Sequence, residues 1–117
     1  MKVNRIVANV HTTDIDAAKT FYQDVLGLDI MMDHGWIRTY GSSEEMRIQI
    51  SFALQGGSDT PTPDLSIEVD DVDAAFEGMK RAGFPIVYGP VVEPWGVRRF
   101  YVRDPFGKLV NILSHEA

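Results

Sequence analysis

Two pentapeptides, DIDAA from Asp14 and DVDAA from Asp71, constrain the fold more than any other feature of the chain. Each follows an alternating polar and apolar run, and each opens a helix-like stretch that stops at a glycine. Asp14 reads as a helix N-cap, with Asp16 in the first turn where the helix dipole favours negative charge. Ile15, Ala18, Tyr22, Val25 and Leu26 then share one helical face, and Gly27 supplies the left-handed stop. The second copy repeats this: Asp71 caps, Val72, Ala75, Phe76, Met79 and Ala82 form the stripe, and Gly83 ends it. A strand precedes each helix (about 4–12 and 64–70). Three strand-like runs follow each one (28–33, 36–41 and 46–53; 86–92, 97–103 and 108–114), separated by Gly-, Ser- and Pro-containing turns. The spacing predicts a βαβββ motif twice, an internal duplication. Motif one covers about 1–54 and motif two about 64–117. QGGSDTPTP at 55–63 has the composition of an exposed connector.

Length and composition narrow the class. The 117 residues suit one α+β domain over 1–117, and 44% hydrophobic residues suffice for a core. A net charge of −6 argues against a nucleic-acid partner, which needs a basic face. The chain has no cysteine, so disulfide and thiolate chemistry are excluded and a cytoplasmic location is expected. The opening MKVNRIVANV is too short and polar for a secretory signal, and no apolar run reaches the roughly 18 residues of a membrane span.

Three segments carry a resemblance. FYQDVLGL (21–28), IEVDDVDAAFEGMKRAG (67–83) and EPWGVRRFYVRDPFGKLVNI (93–112) resemble the vicinal oxygen chelate superfamily. It includes glyoxalase I, extradiol dioxygenases, fosfomycin-resistance enzymes and bleomycin-resistance proteins. The resemblance implies that the two tandem motifs form a curved mixed sheet around a cleft, and that the protein is a homodimer. Within these segments Asp104, Pro105 and Gly107 suit a tight turn, and Arg103 reads as a solvated residue. Trp95, between Pro94 and Gly96, reads either as a packed ring or as the rim of a pocket.

The resemblance also implies four metal-ligand positions, typically His or Gln and Glu, on the first and last strands of each motif. The first-strand position lies seven residues before the capping Asp, which gives Val7 and Asp64. The last-strand positions are Gln49 and Asn111. Valine ligates nothing, two amides are neutral donors, and a single carboxylate remains, a poor match to a transition metal. No cofactor is expected, and a divalent metal is the less favoured reading. His11 and Glu68 share strand faces with Val7 and Asp64 but sit about 13 Å further along, at roughly 3.3 Å per residue. They are candidates for an acid–base pair at the cleft end or for a displaced ligand pair, or are simply exposed near strand ends.

Strand alternation puts Ile6, Ala8, Val10, Ile48, Ile50, Leu65, Ile67, Val69, Val110 and Ile112 toward the helices, and a mixed polar set toward the cleft. The expected ligand-binding residues are Asn9, Trp36, Arg47, Gln49, Ser51, Asp64, Ser66, Trp95 and Asn111. No other catalytic constellation stands out: there is no phosphate loop and no serine beside an obvious base. Two function classes remain. The favoured one is a metal-free small-molecule binder similar to the bleomycin-resistance branch; Asp64, Glu68, Trp36 and Trp95 suit a cationic, planar ligand. The alternative is a glyoxalase- or dioxygenase-like lyase, isomerase or oxygenase, with an unusual metal set or with His11 or Glu68 as acid–base groups. Whether the chain is an enzyme is left open by the sequence, and its partners are expected to be a small molecule and a second copy, with no membrane or nucleic acid.

Overall fold

The computed structural model describes residues 2, 4–5, 7–45 and 49–116. Their elements run β1 (Asp29–Asp33), β2 (Arg38–Gly41), β3 (Leu65–Glu68), α1 (Val72–Ala82), β4 (Ile86–Val92), β5 (Val97–Arg103) and β6 (Leu109–His115). Ahead of β1, Ile15–Ala17 form a 3-10 turn and Lys19–Val25 a π-helix.

Motif two folds as its pattern predicts. The Asp71 carboxylate accepts a hydrogen bond from the Ala74 N–H at 3.0 Å, satisfying a donor that every helix start leaves open. Gly83, at φ +85°, closes α1. The four strands are ordered β3-β6-β5-β4, with β3 parallel to β6 and the other pairs antiparallel. Side chains alternate across this sheet. Leu65, Ile67, Ile86, Phe100, Val102, Val110 and Ile112 therefore meet Val72, Phe76 and Met79 of α1 in the core. Ser66, Glu68, Arg99, Tyr101 and Asn111 take the opposite face, and Ser66 and Tyr101 both sit beside Asn111 in register. The expectation that Asn111 points away from the helices holds. Ala82, assigned to the apolar stripe, is exposed.

The first helix of the chain differs from expectation. Asp14 makes no side-chain cap; Thr12 Oγ1 instead accepts from the Asp14 N–H at 2.9 Å, and π rather than α geometry follows. Phe21, outside the expected stripe, is fully buried and packs edge-on against Phe84 with centroids 5.1 Å apart. Tyr22 donates from its hydroxyl to Asp104 at 2.8 Å. Asp104 keeps its turn role as well, accepting from the N–H groups of Phe106 and Lys108, each at 2.8 Å. The helix of motif one is thus built into the core of motif two.

That placement accounts for the rest of motif one. β1 and β2 form a separate two-stranded antiparallel hairpin, and every residue of β1 is exposed. The expected strands over 4–12 and 46–53 are not formed among the described residues. Ile6, Arg47 and Ile48 lie outside those residues. The hairpin touches the helix of motif one through β2, half-buried throughout, where the Tyr40 ring lies 6.2 Å from the Tyr22 ring; β1 has no such cover, and two strands alone are marginal.

Candidate functional site

The most ordered polar cluster lies on the open face of the four-stranded sheet. Arg99 and Glu93 are each only 4% exposed. Arg99 donates from Nε and Nη2 to Glu93 Oε2 at 3.0 and 2.7 Å. Its Nη1 donates to the Gly56 carbonyl at 2.8 Å and to the Tyr101 hydroxyl oxygen at 2.9 Å. Glu93 also accepts from Ser58 Oγ and from the Tyr88 hydroxyl, both at 3.0 Å. Burial alone would push the Glu93 carboxyl up, but the bonds from Tyr88, Ser58 and Arg99, with the guanidinium charge, hold it below the ordinary carboxylate range. The guanidinium also lies 5.0 Å from the Trp95 ring centroid.

The connector supplies part of this cluster, so it is not the exposed spacer its composition suggests. Thr60 is buried, with Oγ1 2.8 Å from the Tyr101 hydroxyl. Gly56 has no room for a side chain: a Cβ there would collide with the Pro61 carbonyl and the Tyr101 hydroxyl. Gly57 combines φ +85° with a Trp95 ring that would stand 2.7 Å from an added Cβ. These glycines are there for close approach, not for flexibility.

The residues singled out in the sequence are dispersed. Asn111, 7% exposed, donates from Nδ2 to Ser66 Oγ at 3.2 Å, and its Oδ1 is buried without a partner. Asp64 Oδ2 accepts from the Leu109 N–H at 2.8 Å, so the carboxylate anchors the start of β6. Glu68 meets His115, with Oε2 3.1 Å from Nδ1, and not His11. Gln49 and Ser51 are exposed on a segment without strand structure, Trp36 is 79% exposed beside the hairpin turn, and Trp95 is half exposed. Arg47 lies outside the described residues.

This donor set does not fit a divalent metal. Val7 has no donor, Asp64 has one oxygen committed to backbone, and Asn111 offers a single neutral carbonyl. Among the described residues no three His, Asp or Glu side chains cluster at metal-holding distance.

A groove of about 480 Å³ lies between the N-terminal segment and the hairpin, lined by Arg5, Val7, Asn9, Met31, Met32, Ile37 and Thr39. That volume falls in the range of small-molecule sites. The adjacent methionines both line it, although neighbours on a regular strand point to opposite faces. The cause is a β-bulge: pairing shifts between Ile30 and Met32, leaving Met31 without an opposite residue. Met31 lies over Gly41, where an added Cβ would stand 2.7 Å from its Cγ. Of the expected ligand-binding residues that are described, this groove gathers Asn9 alone. Neither Asp64 nor Glu68, the carboxylates expected to hold a cationic ligand, lines this groove.

The model of the glyoxalase/bleomycin resistance protein/dioxygenase superfamily matches residues 2–112. The chain belongs to that superfamily. The uncharacterized protein YetH of Bacillus subtilis is 28% identical over 94 residues, 74% of this chain and 78% of its own. A protein of unknown function from Agrobacterium tumefaciens is similar in structure, with TM-score 0.67 and 25% identity over 97% of this chain and 96% of its own. TnmS3, an antibiotic binding protein from Streptomyces sp. CB03234, has TM-score 0.64 and 24% identity over 95% of this chain and all of its own.

For this member of the glyoxalase/bleomycin resistance protein/dioxygenase superfamily, sequence reasoning missed Arg99, Glu93, His115, Arg5 and the methionine pair. A signal existed for the first two. In VRRFYVR, alternation puts Arg99 on one face with Val97 and Tyr101, and the turn Pro94–Trp95–Gly96 folds Glu93 back beside it. No such signal marks Met31, because a bulge cannot be read from two adjacent methionines.

Proposed function

We propose that the protein binds a small molecule without a metal, in the groove between the N-terminal segment and the hairpin. The observation that carries this reading is the bulge that turns both Met31 and Met32 into one apolar groove of ligand size. The structural likeness to TnmS3, an antibiotic binding protein, supports a small-molecule ligand. Absence of cysteine suits a cytoplasmic setting, and no helix among the described residues is long and apolar enough to cross a membrane. The test is a titration of a Trp95→Phe variant with flat aromatic natural products in the presence of a chelator. Trp36 emission should change with saturable dependence on ligand, and removing the chelator and adding zinc should leave affinity unchanged. Binding that appears only with metal would overturn the reading.

A second reading, a metal-free lyase or isomerase, is favoured by one observation, the Glu68–His115 pair at 3.1 Å. Carboxylate and imidazole in contact can hold and pass a proton. It predicts turnover that falls on Glu68→Gln while ligand binding persists; the binding reading predicts no turnover at all.

The protein acts as a homodimer. Ile50, Phe52 and Leu54, at alternate positions of one segment, are all exposed. A second copy is the partner with matching unpaired apolar surface, and dimerisation would bury what a small domain leaves uncovered. Sedimentation at tens of micromolar should give a dimer. Burying a phenylalanine contributes about 1.5–3 kcal/mol, so Phe52→Asp should raise the dimer dissociation constant by more than about tenfold. A monomeric unmodified protein would refute the assembly.

A further inference from the structure

The groove proposed above as the binding site has a charge preference opposite to that of the whole chain. Among the described residues its polar lining is Arg5, Asn9 and Thr39, all of which can donate hydrogen bonds, with no carboxylate among them. None of the ion pairs among the described residues involves Arg5. Of the acids in the hairpin strands, Asp33 accepts from the Gly35 N–H at 3.0 Å and pairs with Arg38, which also holds Asp16, and Asp29 at the start of β1 does not line the groove. The chain's net charge of −6 would favour cations at long range. At physiological salt, however, charges more than about 8 Å away are screened, and the local guanidinium dominates.

The apolar lining indicates the shape of the ligand. Met31 and Met32 are unbranched and polarizable, and thioether sulfur makes favourable contacts with aromatic rings. With the bulge aiming both at one space, they can grip a flat ring from adjacent positions, with Val7 and Ile37 completing the apolar walls. The geometry points to a ligand that joins a planar aromatic body, held by Met31 and Met32, to an anionic group held by Arg5 and Asn9. This inference rests on the binding reading above and fixes the charge class of its ligand.

Two probes with the same aromatic body separate charge from shape: anilinonaphthalene sulfonate, which is anionic, and N-phenylnaphthylamine, which is neutral. Each is titrated into the full chain, followed by probe fluorescence and by NMR of ¹³C-methyl methionine. The Met31 and Met32 signals are assigned with Met31→Leu and Met32→Leu. The expected result is that ring currents shift both methyl signals, and that the sulfonate binds about five-fold more tightly than the neutral probe. That preference corresponds to about 1 kcal/mol, since 1.4 kcal/mol is tenfold. Arg5→Gln should abolish it without changing the neutral probe's affinity. Equal affinities, or a preference that survives Arg5→Gln, would overturn the charge inference and leave the binding reading standing. Methyl signals that stay fixed while both probes bind elsewhere, or no binding by either, would overturn both.

Discussion

Arg99→Ala should destabilise the protein by about 3–5 kcal/mol, because it strands the Glu93 carboxylate in a buried site. The wild-type pair is enclosed and every hydrogen bond of the guanidinium is directed at Glu93, Tyr101 or the connector. Removing one partner leaves an uncompensated charge, whereas removing both does not. Arg99→Met with Glu93→Leu should therefore recover much of the loss in urea melts followed by circular dichroism. A single variant within about 1 kcal/mol of wild type would mean that the cluster is open to water. The same pair sets an acid limit. The Glu93 carboxyl is depressed in the folded state, so its contribution is complete above the ordinary value of 4.5 and is lost as pH falls through the lower folded value. Glu93→Gln should flatten that acid limb of the stability profile, whatever it does to stability at neutral pH.

Phe21→Ala should be comparably severe, about 3–5 kcal/mol, the usual cost of emptying a buried aromatic site. Phe21 belongs to motif one by sequence but sits among Phe84, Val102 and Val110 of motif two. Its loss should therefore lower the urea midpoint of the whole chain as one transition, not release the hairpin alone. Phe21→Leu, which keeps most of the volume, should cost considerably less. A Phe21→Ala protein with an unchanged midpoint would show that the first helix is not docked on the second sheet.

Motif two was legible in the sequence almost residue by residue. Asp71, Gly83, the alternation through 97–103 and the Asp104–Gly107 turn each act locally, and each agrees with the packing that surrounds it. Motif one carries the same local signals but not the same surroundings. Asp14 sits where a cap should be, yet its carboxylate accepts no helix N–H, and Phe21 directs the helix into the other sheet. Tertiary packing overrode the pattern there. The candidate site was harder still to anticipate. The ion pair of the polar cluster joins residues across a turn, the connector glycines matter through what they touch, and the methionines of the groove converge through a shift in strand pairing. None of those is a property of residue type or spacing alone.

A duplicated chain is often regarded as two interchangeable modules on a tether, open to shuffling and to replacement of the tether by any flexible sequence. The residues between the motifs here forbid that. Gly56 and Gly57 are pressed against Tyr101 and Trp95, and the Gly56 carbonyl completes the shell of a buried guanidinium. Lengthening the tether, or exchanging one half for that of a relative, would break a shared interior and not merely a hinge.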